Sequence, residues 1–172
     1  MAAPTIYKST DGSAPTLSGT AGDLVNLLDK CLVAGYGAKA TAGWTKPYVG
    51  TNKASFRQGA GNQFYLRVVD DASGAGTGKE AKTVGYETMS DVDNGTGLFP
   101  TAVQLATGIT VRKSLTADAT TRAWILIADD RTFYLFVLTA DIGNTYYAFG
   151  FGDIFSLLTG DGYKTVIIGR NA

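Results

Sequence analysis

The distribution of apolar positions changes character along the chain. Residues 20–37, "TAGDLVNLLDKCLVAGYG", place Leu24, Leu27, Leu28, Cys31 and Leu32 at helical spacing, with Thr20 as the expected N-cap and Gly35 and Gly37 as the stop. This predicts one amphipathic helix over about residues 20–34. A single wide apolar stripe suits a helix that covers a sheet or docks on a partner. Ahead of it, residues 1–19 carry Pro4, Pro15 and a mixture of small polar residues around the strand-like "TIYK". They predict an extended N-terminal arm without a local partner, of the kind that reaches a neighbouring subunit.

From Trp44 onward the period shortens to two. "ASFRQGAGNQFYLRVVDD" reads as a hairpin turning at Gly59 to Asn62, with Phe64, Leu66 and Val68 on one face and Tyr65, Arg67 and Val69 on the other. A strand follows at Lys82 to Met89 and a short one in "GITVRKS". "RAWILIADDRTFYLFVLTA" forms a second hairpin around Asp129-Asp130-Arg131. Its arms are apolar at consecutive positions, which predicts burial on both faces. An aromatic strand, "TYYAFGFGDIFSLL", and a last one, "YKTVIIGR", complete the chain; Gly150 and Gly152 predict a bulge or a close backbone approach in the former. The fold class is mainly β: an antiparallel β-sandwich or barrel-like domain over residues 20–172, with the N-terminal amphipathic helix packed on it.

At 172 residues the chain is long enough to bury a core without staples, and its single cysteine, Cys31, lies among apolar neighbours as a structural thiol. Lacking histidine, the chain lacks the commonest general base and a leading metal ligand. Its net charge is zero and its cations are scattered singly, an arrangement that provides no footprint for nucleic acid. Neither a leader pattern nor a run of about 18 apolar residues occurs, so a soluble chain without membrane contact is expected.

Four patterns invite chemistry. "DDASGAGTGKEAKT" has the glycines of a phosphate loop, but Ser73 stands five positions before Gly78 and Glu80 follows Lys79, where a hydroxyl is needed. A solvated loop is expected. "SDVDNGTG" offers Asp91, Asp93 and Asn94, but Gly95 and Thr96 occupy positions where a calcium loop needs an oxygen ligand and a glycine; an Asx turn is expected instead. Asp70-Asp71 and Asp129-Asp130 are adjacent pairs at hairpin ends, where aspartate serves turns, and their spacing shows no acid and nucleophile geometry. A glycan-degrading enzyme is the weakest reading. Trp44, Tyr48, Tyr36 and Phe99, beside Gly and Pro, could stack on sugars in a carbohydrate- or receptor-binding module with weak glycan contact. The alternative is that they pin loops or fill intersubunit contacts.

Four segments, "LLDKCLVAGYG", "GWTKPYVGTNKASFRQG", "DDRTFYLFV" and "FGDIFSLLTGDGYKTVIIGR", resemble a group of small proteins encoded in the structural-gene regions of tailed bacteriophages and prophages. The resemblance implies a non-enzymatic virion component without cofactor or metal, made in the host bacterial cytoplasm and present in symmetric copies. Its partners would be copies of itself and either the major capsid protein, as a decoration or cement protein, or the tail and baseplate proteins. On this reading Pro4, Ile6, Tyr7, Trp44, Tyr48 and Phe99 are the candidate interface residues.

Overall fold

The computed structural model describes residues 3–71, 79–138 and 146–169. Twelve strands and one helical segment are present among them, in the order β1 (Thr5–Lys8), α1 (Asp23–Leu28), β2 (Thr45–Gly50), β3 (Lys53–Arg57), β4 (Tyr65–Val69), β5 (Glu80–Tyr86), β6 (Thr88–Met89), β7 (Gly95–Thr96), β8 (Ile109–Arg112), β9 (Trp124–Ala128), β10 (Thr132–Leu138), β11 (Tyr146–Asp153) and β12 (Thr165–Ile168). One five-stranded sheet runs β1-β9-β10-β11-β12 and a second runs β2-β3-β4-β5-β8, with β6-β7 as a small ribbon. Every pairing in the two main sheets is antiparallel. The sheets pack together as a β-sandwich, in agreement with the fold class expected from the sequence.

Alternation explains the core. Leu126, Phe133, Leu135, Phe149 and Phe151 of the first sheet and Ala54, Phe56, Leu66, Val68 and Val111 of the second are all buried. They meet as one cluster with the helical segment. Opposing inner faces of this kind remove water from both sheets at once, which is what stabilises a sandwich.

The helix keeps its expected apolar stripe, since Leu24, Leu27, Leu28, Cys31 and Leu32 are fully buried, but its start differs. Thr20 is not the N-cap. The helix opens after Gly22, which has φ 89° and makes no side-chain cap, and it widens into a π-helical stretch over Asp29–Ala34 before Gly35. Its first-turn amide is satisfied from across the fold: Leu24 N donates to Asp70 Oδ2 at 2.8 Å. Asp70 in turn faces the Lys113 ammonium at 2.5 Å, and that ammonium donates to Thr20 O at 2.6 Å. A buried ion pair therefore does what a local hydroxyl was expected to do.

The N-terminal segment is not an isolated arm. β1 pairs with β9, matching Thr5 to Ala128 and Lys8 to Ile125. Tyr7 and Leu17 are fully buried, and Tyr7 Oη donates to Ala40 O at 2.8 Å. Its partner strand lies more than a hundred residues onward, so no local pattern reveals the pairing. Removal of residues 2–16 would strip a sheet edge and a core tyrosine, where the sequence suggested a dispensable extension.

Two further expectations are corrected. The β9–β10 hairpin is buried on one face only: Trp124, Leu126, Phe133, Leu135 and Val137 point inward, whereas Ile125, Tyr134 and Phe136 are exposed. And β11 ends at Asp153, so Ile154 to Leu158 belong to a loop. The glycines of β11 do mark close approach. A Cβ on Gly150 would lie 2.9 Å from the Tyr134 ring, and one on Gly152, at φ 140°, would lie 2.3 Å from Arg131 O.

Candidate interaction surface

The outer faces of the two sheets differ in kind. On the second sheet, register aligns Arg57 with Tyr65 and Tyr86, and Ser55 with Arg67 and Val84. Its cations have partners: Asp93 bridges Lys53 and Arg67, Glu80 pairs with Arg112, and Arg57 donates to Gln63 Oε1 while lying over the Tyr65 ring. This polar face is itself partly covered: Ser55 is fully buried, and Tyr48 and Arg67 donate to Met89 O and Val92 O of the segment that follows β5.

On the first sheet the register runs Ile6 to Ile127 to Tyr134 to Gly150 to Ile168, and beside it Lys8 to Ile125 to Phe136 to Ala148. Ile6, Ile125, Tyr134, Phe136, Tyr146 and Ile168 are all exposed, and Lys8 is the one charged residue in these two rows. At one corner the face dips into a cavity of about 190 Å³, lined by Lys8, Ile125, Phe136, Leu138 and Tyr146 among others. Among the described residues the exposed apolar side chains of this outer face are 36–62% accessible, with Ile127 half-buried between them, and single soluble domains seldom expose large contiguous apolar patches.

A second apolar feature lies beyond the end of β11. The loop between β11 and β12 holds Phe155, Leu157, Leu158 and Tyr163 at 77, 91, 70 and 93% exposure. These side chains point away from a hydrogen-bonded frame. Ser156 Oγ donates to Asp161 Oδ2 at 2.7 Å, Leu158 N to Ser156 Oγ at 3.2 Å, Tyr163 N to Asp161 Oδ1 at 2.9 Å, and Ile154 N to Lys164 O at 2.9 Å. The bonds from Ser156 Oγ and then Tyr163 N hold the Asp161 carboxyl below the usual carboxylate range.

The base of the loop is fastened to the other sheet. Asp153 accepts from Gln58 Nε2 at 2.9 Å, Asn62 N at 3.0 Å and Thr165 Oγ1 at 2.6 Å, and Asn62 Nδ2 donates to Gly162 O at 3.0 Å. Local hydroxyl and carboxylate bonds compete with strand pairing, which explains why the apolar run Ile154 to Leu158 does not extend β11.

The six candidate interface residues separate into three groups. Pro4 and Ile6 are exposed, Ile6 on the apolar face. Tyr7 and Trp44 are core residues. Trp44 Nε1 donates to Asp129 O at 2.7 Å and its ring meets Phe133 and Phe151 edge-on, so it fastens the post-helical loop to the β9–β10 turn of its own chain. Phe99 is half-buried, stacked on Phe151 at 6.1 Å and filling the space beside Gly85. Tyr48 is half-buried, stacked on Tyr65 at 6.5 Å with its hydroxyl on Met89 O.

The sugar-stacking group is not assembled either. Tyr36 is buried against Tyr7 and donates to Asp11 Oδ2 at 3.0 Å, while Trp44 is spent inside the core. Sequence reasoning passed over the loop residues Phe155, Leu157, Leu158 and Tyr163. The available signal was an apolar run next to Gly160 and Gly162, where a turn rather than a strand was to be expected.

Of the other candidate patterns, Asp70 does not serve a hairpin-end turn as expected but is fully buried against Lys113 and the Leu24 amide, whereas the remaining ones resolve locally. Asp91 Oδ1 accepts from Asp93 N at 2.7 Å and Asn94 N at 2.9 Å, as an Asx turn should. Asp129 Oδ1 accepts from Arg131 N and Thr132 N, both at 2.8 Å, as a hairpin-end turn. Among the described residues no group of three or more Cys, Asp or Glu side chains is placed to hold a metal ion. Residues 72–78 of the glycine loop lie outside the described residues; Lys79 anchors its far end through its carbonyl, which accepts from Lys113 N at 2.8 Å. No helix among the described residues is long and apolar enough to cross a membrane. Comparison with protein-family models, with curated proteins and with solved structures gives no match to this chain.

Proposed function

We propose that this chain is a non-enzymatic structural protein of a bacteriophage virion, acting by self-association and by docking on the capsid or on the tail and baseplate. The observation that carries the self-association is the apolar outer face of the β1-β9-β10-β11-β12 sheet, whose exposed side chains are those of an interface rather than of a solvated sheet. The phage assignment rests on the resemblance of the four quoted segments. The interior, with its ion pair between Lys113 and Asp70 and its sandwich core, supplies a packed block that carries such a face.

Quantitative mass spectrometry of purified particles tests the assignment. The chain is expected to co-purify at a fixed copy number that is a multiple of the particle's symmetry. Hundreds of copies would place it on the capsid lattice and a few to a few dozen in a tail ring. Its absence from particles that are otherwise complete would overturn the reading.

A further inference from the structure

We infer that copies of this chain associate head to tail: the β11–β12 loop of one copy packs on the outer face of the first sheet of the next, with Leu157 or Phe155 entering the corner cavity. The inference rests on the self-association proposed above and specifies its geometry.

Three observations lead to it. The loop presents Phe155, Leu157, Leu158 and Tyr163 to solvent while its own polar groups are tied within the loop, so its apolar surface is already arranged for a partner. Its base is clamped by Asp153 and Asn62 to the opposite sheet, so it projects as a fixed knob. The same high exposure means that it does not fold back over its own sheet.

The second surface is of the matching kind. The cavity of about 190 Å³ between Ile125, Phe136, Leu138 and Tyr146 is large enough for a leucine or phenylalanine side chain. Beside it Ala148 is exposed next to Phe136, whereas the Tyr134 ring lies over Gly150.

The two surfaces are of similar size. With an aromatic side chain offering about 150–250 Å² when fully exposed, the loop side chains, at 70–93% exposure, and those of the face, at 36–62%, each present roughly 400–600 Å² of apolar surface. A standard specific interface takes about 800 Å² from each partner, so this contact is at the small end. Charge is sparse on both surfaces: Lys8 is the one charged residue in the two aligned rows of the face, and in the loop Asp161 accepts from Ser156 while Lys164 faces Asp153 at 3.7 Å. Each chain therefore holds one knob and one matching face, which is the composition of a heterologous contact. Such contacts close into rings when the rotation permits and extend when it does not.

Mixing separates this arrangement from others. A knob variant, Leu157→Asp, retains an intact face; a face variant, Ile125→Lys, retains an intact knob. Both sites are exposed, and each variant is expected to unfold within a few degrees of the unmodified chain. Leu158→Asp and Phe136→Lys serve as a second pair if either variant loses its fold. By sedimentation velocity each variant alone is expected to be a monomer, while an equimolar mixture forms a two-chain complex that grows no further.

A knob variant that associates as the unmodified chain does would overturn the head-to-tail geometry while leaving self-association standing. So would a mixture that stays monomeric although both variants are folded. An unmodified chain that never associates would overturn the functional reading as well.

Discussion

Lys113→Met is expected to destabilise the fold at neutral pH by about 3–5 kcal/mol, the range for stranding one partner of a buried ion pair. Both Lys113 and Asp70 have fully buried side chains, 2.5 Å apart. The lysine follows β8 and the aspartate follows β4, so the pair joins the ends of two strands to the start of α1 through Thr20 O and Leu24 N. Without the ammonium, Asp70 keeps the Leu24 amide but has no counter-charge.

Burial pushes the Asp70 carboxyl up to about 6, against the pull of Lys113 and of the Leu24 N–H. A raised carboxyl favours the folded state fully below its unfolded value of about 4, and that contribution is lost as pH rises through the folded value. In the variant the downward pull of Lys113 is gone, so the carboxyl takes up a proton more readily. The deficit relative to the unmodified chain should then shrink as pH falls from about 7 towards 5. Urea unfolding at several pH values measures both effects. A second variant, Lys113→Met with Asp70→Leu, should recover part of the loss and not all of it, because the Leu24 amide is then unpaired. A loss below about 1 kcal/mol in the single variant at neutral pH would show that the pair is hydrated rather than buried.

The second large effect concerns Trp124. Its ring is 2% exposed, its indole N–H donates to Pro15 O at 3.2 Å, and it begins β9 at the seam with β1. Trp124→Ala should cost about 3–5 kcal/mol, the usual loss for truncating a large buried aromatic. Its neighbour in the strand points to the opposite side of the sheet. Ile125→Ala, on the outer face, should therefore change the stability of the monomer by no more than about 0.5 kcal/mol. Thermal or urea unfolding of the two variants side by side reads the orientation of β9 directly. Similar losses in both would mean that the sheet is covered on each side, as the unbroken apolar pattern of the hairpin had suggested.

That hairpin shows how far the sequence could be read. Helical spacing at Leu24, Leu27, Leu28, Cys31 and Leu32, and alternation in "FYLRVV", identified the elements and their inner faces because both signals are local. The capping of α1 was not legible, since Leu24 takes its acceptor from a residue 46 positions away. The pairing of β1 with β9 escaped for the same reason. In β9 and β10 the pattern was apolar at both parities, and burial on both faces was the natural expectation for a single chain. The exposure of Ile125, Tyr134 and Phe136 shows instead that one side of the hairpin faces outward. The run Ile154 to Leu158 resembles a strand in composition, but Ser156 and Asp161 close it into a loop, a choice made by two side chains five residues apart.

Sedimentation velocity of the purified chain over a concentration series reaching tens of micromolar or more tests the central claim, that the apolar face of the first sheet is an assembly surface. The account predicts a boundary that moves from monomer to larger species as concentration rises. Because the contact is apolar, raising sodium chloride should weaken it little and sulfate should strengthen it. A single monomeric boundary at every concentration and in both salts would contradict the account.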